Sequence, residues 1–199
     1  MCIYIMLSLT IGPMYSGKTS ALFKSFNANV SLDKLIIDYD IGDNVAHIVT
    51  HEGDVLPSYK LTKFDDFTPM QSYVYINEAQ FFPDLLPFVI RLVRLHKHVE
   101  VYGLDGDFNQ KRIGCIFDLI PLCDTIVKLN GTCKYCKSPS IHTKRLSDET
   151  DQIVFNADIY APVCRNCIYN MTTLYEIMDN DIKECYNEEV YAYNTRHEF

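Results

Sequence analysis

No segment of this 199-residue chain is apolar for long enough to cross a bilayer, so no membrane-spanning helix is expected. Positive charge is scarce. Eighteen Lys and Arg against 26 Asp and Glu give a net charge of −8 and a pI near 5.1. That balance argues against a nucleic-acid partner, which calls for a basic footprint. Small anions stay within reach, because one local loop can bind them against the net charge. The opening residues, Met1-Cys-Ile-Tyr-Ile-Met-Leu-Ser-Leu-Thr10, lack the basic start of a secretory leader and read as a buried strand. Without a leader, the eight cysteines point to a reducing, cytoplasmic setting in which thiols serve metal binding or packing. There is no internal repeat. At this length, with 48% apolar residues, the chain can bury one good core and a small second unit.

The chain is organised around Gly12-Pro13-Met14-Tyr15-Ser16-Gly17-Lys18-Thr19. An apolar run, Ile3 to Ile11, precedes it, and Ser20 to Asn29 can coil as a helix. Strand, glycine loop and helix in that order form the context of a phosphate-binding loop. The glycines let backbone N–H groups close on phosphate oxygens, and the positive end of the helix faces the same anion. Lys18 would place a point charge on the β/γ phosphates and Thr19 a hydroxyl on Mg²⁺.

Further strands are expected at Lys34–Asp38, Tyr73–Ile76, Val99–Leu104 and Thr125–Leu129. The polar region from Tyr39 to Met70 is expected to be loop with one short strand. From Asp84 to His98, Leu85, Phe88, Val89, Leu92 and Leu95 recur at helical spacing. A short helix is expected over Ile116–Cys123 despite Pro121. Strands alternating with helical segments imply an α/β fold with a mainly parallel sheet, related to P-loop NTPases. Ligands then lie beyond the carboxyl ends of the strands, where Glu78, Asp105 and Asp107 also fall. Glu78 is the candidate general base. Asp105 and Asp107 are weaker candidates for water or metal contacts.

After Asn130 the character changes. Two C-x-x-C pairs, Cys133 with Cys136 and Cys164 with Cys167, suit a closed, structural four-thiolate Zn²⁺ site. A unit of this size has little core of its own, and metal binding would offset its ordering entropy. This divides the chain into a nucleotide-binding domain (1–130), a zinc-binding lasso (131–174) and an acidic tail (175–199) expected to be poorly ordered.

The blocks Gly12 to Thr19, Asn77-Glu-Ala-Gln-Phe-Phe-Pro83, Gly103-Leu-Asp-Gly-Asp-Phe108, Val127-Lys-Leu129, Cys133-x-x-Cys136, Thr143-Lys-Arg145 and Tyr160-Ala-Pro-Val-Cys-Arg-Asn-Cys167 stand in one order. Together they resemble the type II thymidine kinase family over roughly residues 5 to 168. The resemblance implies transfer of the ATP γ-phosphate to the 5′-hydroxyl of thymidine, a lasso covering the base, a homotetramer, and feedback inhibition by thymidine triphosphate (dTTP). Carried over by residue, Gly12 to Thr19 and Asn77 hold ATP and Mg²⁺, and Glu78 is the catalytic base. Phe81, Phe108 and Tyr160 line the nucleoside pocket. Cys133, Cys136, Cys164 and Cys167 bind structural Zn²⁺.

The chain departs from that pattern in three places. Most members carry Asp-Glu where Asn77-Glu78 stands, so a weaker hold on Mg²⁺ is expected. The basic residue and Asp-x-Arg usual after the second strand give way to Asp38-Tyr-Asp-Ile-Gly-Asp43, with Asp40 or Asp43 as the matching acid. Two lasso glycines are replaced by Phe155 and Asn156, which should restrict the backbone. Two alternatives to a working kinase stay open: a weakened or inactive nucleotide-binding homologue, and a P-loop phosphotransferase with another acceptor.

Overall fold

The computed structural model describes residues 6–42, 46–50 and 53–169. The expectations for Ile3–Ile5 and for the tail at 175–199 lie outside these residues. In chain order the elements are β1 (Leu7–Gly12), α1 (Lys18–Ala28), β2 (Lys34–Tyr39), β3 (His47–Val49), β4 (Val55–Pro57), β5 (Tyr59–Leu61), β6 (Tyr73–Ile76), α2 (Leu85–Arg94), β7 (His98–Leu104), β8 (Thr125–Lys128), β9 (Gly131–Thr132), β10 (Pro139–Ser140), β11 (His142–Arg145), β12 (Tyr160–Val163) and α3 (Arg165–Ile168). Short 3-10 turns occupy Ala79–Phe81, Ile116–Leu122 and Ala157–Ile159.

Six strands form one sheet in the order β5-β2-β6-β7-β1-β8, every pairing parallel. Alternation along the strands sends side chains to both faces. On one face Leu9, Ile37, Ile76 and Val101 pack with Leu85, Phe88, Val89 and Leu92 of α2 and with Ile116 and Leu119. On the other, Ile36, Tyr75 and Tyr102 pack with Leu22 and Phe23 of α1. Because all strands are parallel, β1, β6 and β7 end at one edge. The order places β7 between β6 and β1, so the segments after all three are neighbours.

Three expectations change. The polar stretch before β6 holds three short strands rather than one: β3 and β4 form an antiparallel hairpin, and β5 extends the sheet beside β2. At three residues each, they are too short for alternation to announce them. Helix α2 stops at Arg94, not His98. His96 takes φ 59, and the N–H groups of His96 and Lys97 close on the carbonyls of Val93 and Leu92, a Schellman stop with no glycine to signal it. Leu95 is therefore half exposed rather than core. Ile116–Leu122 is a 3-10 turn, as Pro121 removes a helix-interior donor.

The chain divides into two compact units, residues 1–164 and 165–199. Of the second, only α3 and Tyr169 are described. Within the first, β9 pairs with β10 and β11 with β12, both antiparallel.

Candidate active site

The loop after β1 has the conformation that its glycines and its charge require. Gly17 caps α1 in the left-handed region, φ 81. A Cβ on Gly12 would stand 2.6 Å from Ser16 Oγ and 2.7 Å from the Leu129 carbonyl oxygen. Lys18 is buried at the start of α1, and its Nζ donates to the Pro13 carbonyl at 2.8 Å. Desolvation lowers its pKa, opposed by the nearby carboxylates Glu78 and Asp105. A buried ammonium closed on its own loop, beside the N-terminus of an 11-residue helix, fits a phosphate group. One loop donor is already used: Met14 N–H donates to Thr143 Oγ1 at 3.0 Å.

Glu78, just past β6, has φ 49, a left-handed backbone unusual for a glutamate and a mark of a site under constraint. Its Oε2 accepts from Gln80 Nε2 at 2.8 Å, and Gln80 Oε1 accepts from Leu104 N–H at 2.9 Å. The buried Gln80 thus ties the end of β6 to the end of β7 and holds the acid between them. Sequence reasoning gives Gln80 no role; an amide two residues after the candidate acid is the one signal it carries. Both carboxylate oxygens of Asp107 are engaged by protein groups. Its Oδ1 accepts from the N–H groups of Asn109 and Lys111, and its Oδ2 from Gln152 Nε2 at 2.8 Å. Asp105 pairs with Lys128 at 2.7 Å.

A cavity of about 340 Å³ opens over this edge. Met14 to Thr19, Glu78, Phe81, Phe108 and Tyr160 all line it, so the loop lysine, the acid and the three aromatic rings share one space. Gly12 and Pro13 are not among the residues that line it. Across it runs the segment from Gln152 to Ala157, here called the strap. The buried Arg145 organises that segment. It donates to the carbonyls of Glu149, Asp151 and Gln152 and to the Tyr160 hydroxyl, and its guanidinium lies 3.8 Å from the Phe108 ring centroid. The expected backbone restriction at the strap does not arise at Asn156, whose φ of −143 is ordinary extended chain. Phe155 packs its ring 5.1 Å from Phe81 and 6.0 Å from Tyr39.

Asn77 faces a neighbouring cavity of about 310 Å³, also reached by Thr19 and Glu78. Its Nδ2 donates to Asp38 Oδ1 at 2.9 Å, and Lys60 Nζ meets Asp38 Oδ2 at 2.8 Å. The negative charge absent from position 77 therefore stands one strand over, on buried Asp38, and β5 provides the ammonium that balances it. The sequence showed both replacements but not their pairing, because Lys60 lies in a segment read as loop. Asp40 forms a local turn, its Oδ1 accepting from Gly42 N–H; Asp43 is outside the described residues. Thr19 and Asn77 line this cavity together, and a hydroxyl and an amide oxygen are hard donors that fit Mg²⁺.

The sulfurs of Cys133, Cys136, Cys164 and Cys167 lie within 4.8 Å of one another, with Cys136 and Cys164 3.4 Å apart. Tetrahedral thiolates 2.3 Å from Zn²⁺ stand about 3.8 Å apart, so the cluster fits that ion. Burial opposes ionisation of Cys133, yet backbone N–H groups of Cys136, Cys164 and Tyr135 and the Cys136 side chain outweigh it and lower its pKa to about 6. A thiol easily made thiolate is what a metal ligand needs.

The sequence comparisons agree with this geometry. The family model described as thymidine kinase matches residues 5–168. A "Thymidine kinase" of Oryza sativa subsp. japonica is 35% identical over 176 residues, covering 80% of this chain and 64% of the rice protein. The chain thus spans less than two thirds of that relative. A "Thymidine kinase" of Myxoma virus (strain Uriarra) is 32% identical, covering 82% of this chain and 96% of the viral one. That of Vaccinia virus (strain Western Reserve) is 34% identical, covering 81% and 95%.

Proposed function

The chain belongs to the thymidine kinase family and is a kinase, and from that premise we propose that it transfers the γ-phosphoryl group of ATP to the 5′-hydroxyl of thymidine, giving thymidine monophosphate for deoxynucleotide salvage. The observation carrying this is that Lys18 and Glu78 line one cavity together with Phe81, Phe108 and Tyr160. Glu78 takes the proton as the 5′-oxygen attacks the γ-phosphorus; the bond to the β-phosphate oxygen breaks and ADP leaves. Lys18 and the N–H groups at the start of α1 hold the phosphates and stabilise their charge in the transition state. Thr19 and Asn77 would hold Mg²⁺, which neutralises phosphate charge when bound, leaving the Glu78 carboxylate free to take the proton. Phe81 and Phe108 enclose the base beside Tyr160, and the strap excludes water from it. The four cysteines would hold Zn²⁺ as a structural ion that ties the two knuckles together.

The deciding experiment is a panel of nucleosides with labelled ATP, with and without Mg²⁺. Thymidine monophosphate is expected, and Glu78→Gln is expected to lower kcat by about 10²–10⁴-fold, the usual worth of a general base. No monophosphate from any pyrimidine deoxynucleoside would reject the reading. The Asn77–Asp38–Lys60 arrangement supports a second reading, a nucleotide-binding homologue with little turnover. ATP binding without transfer would favour it, and thymidine-independent ATP hydrolysis would favour another acceptor.

Two regulatory features extend the proposal by family resemblance: a homotetramer, and inhibition by dTTP, whose base would enter the nucleoside end while its phosphates reach Lys18. Activity unchanged at saturating triphosphate would remove the latter.

A further inference from the structure

Tyr15 belongs to the phosphate-binding loop, yet its hydroxyl leaves that loop. The residue takes φ 61, a left-handed conformation that a bulky side chain adopts only where its surroundings over-determine it. From there its ring lines the cavity, and its phenol O–H donates to the Ala157 carbonyl at 2.7 Å. Ala157 ends the strap and opens the 3-10 turn Ala157–Ile159. Two other ties flank this one. Met14 N–H donates to Thr143 Oγ1 at 3.0 Å on β11, and a Cβ on Gly131 of β9 would stand 2.9 Å from the Tyr15 carbonyl oxygen. The loop that would grip phosphate is thus held against β9 and β11 through its backbone. Toward the strap it extends the Tyr15 hydroxyl.

We propose that Tyr15 is a positioning residue that couples the two halves of the cavity, so that phosphates bound at the loop hold the strap closed over the nucleoside. This rests on the reading of the cavity as a joint ATP and thymidine site. Phosphate oxygens drawn onto the N–H groups at Gly17 to Thr19 fix the loop backbone. That fixes the direction of the Tyr15 side chain. The hydroxyl then pins the Ala157 carbonyl, and with it Phe155 and Asn156 on the cavity wall. Linkage makes the effect reciprocal: a strap closed on nucleoside holds the loop in its phosphate-binding shape. A phenol of ordinary pKa is already protonated in the neutral range, and burial, then the charge of Asp158, raise that of Tyr15 further. A phenylalanine at this position would fill the same wall and transmit nothing.

The test is Tyr15→Phe, which removes one oxygen and keeps the ring. Thymidine binding is measured by calorimetry with and without the non-hydrolysable analogue AMP-PNP and Mg²⁺. In the unaltered protein the analogue is expected to tighten thymidine by about fivefold, the net worth of one hydrogen bond, and in Tyr15→Phe by less than about twofold. The KM for thymidine is expected to rise more than kcat falls. Hydrogen exchange supplies a readout that needs no thymidine: AMP-PNP slows exchange at residues 152–158 in the unaltered protein and not in Tyr15→Phe. Equal coupling and equal strap protection in both proteins would overturn the proposal while leaving the kinase reading intact. An unaltered protein that binds neither AMP-PNP nor thymidine would overturn both.

Discussion

Between Leu7 and Lys128 the molecule is held by apolar side chains buried on both faces of a parallel sheet. Between Gly131 and Cys164 almost nothing of that kind exists. There the buried side chains are Cys133, Ser140, Thr143, Arg145, Ala161, Val163 and Cys164, most of them polar or sulfur-bearing. The first region gains its stability from area removed from water, a force that is large, non-directional and tolerant of exchange among apolar residues. The second depends on a few directional ties: the Arg145 fan of hydrogen bonds, the Gln152–Asp107 contact, and the thiol cluster. The division suits a kinase. Under the proposed function, phosphates need a rigid edge while a segment closing over a nucleoside must open again, and local polar ties release at lower cost than a core.

The largest effect is expected from stripping the four-thiol cluster of any metal it holds. Chelation is expected to abolish thymidine binding while the far-ultraviolet circular dichroism of the sheet and helices persists; loss of both signals together would mean that the two regions do not stand apart. Next in size, Leu92→Ala, with its side chain fully buried between α2 and the sheet, is expected to cost about 2–5 kcal/mol by urea denaturation, shared by every probe of folding. Arg145→Ala sharpens the contrast. Losing charge-assisted bonds to three carbonyls and a hydroxyl should cost about 1.5–3 kcal/mol locally, read as faster hydrogen exchange at residues 149–157 and a higher thymidine KM, with the exchange of β1 and β7 amides unchanged.

The smallest effect concerns the sheet edge. Asn77→Asp places a carboxylate where Asp38 Oδ1 now accepts a hydrogen bond at 2.9 Å, and removes the donor. The single change is expected to destabilise by about 1–3 kcal/mol rather than raise activity. Adding Asp38→Asn exchanges the ends of the pair but takes the Asp38 carboxylate away from Lys60, so it is expected to restore only part of the stability. A thermal-denaturation series on the three variants would expose the pairing as idle if all melted alike.

The sheet region was far more legible than the strap. Burial leaves apolar runs on the strands of a parallel sheet and a period on a helix, and these located β1, β2, β6, β7 and the body of α2. The phosphate loop was legible because a few residue types satisfy its geometry, and the thiols because C-x-x-C spacing is dictated by a metal knuckle. Where α2 stops was not legible, since His96 adopts its left-handed turn without being glycine. Nor were β3, β4 and β5, each three residues long.

What the order of residues determined alone was the chemistry available: a lysine and threonine after a glycine loop, an acid after a strand, four thiols in two pairs. Their types and near spacing are local properties, carried by a handful of adjacent side chains. Which groups answer one another was decided only by the folded chain. Asp38 meets Lys60 across β2 and β5, Gln80 joins Glu78 to β7, and the Tyr15 hydroxyl finds the Ala157 carbonyl, in the last case a separation of 142 residues along the chain. Such pairs leave no period and no motif. They arise from strand order and loop path, which depend on the whole core at once.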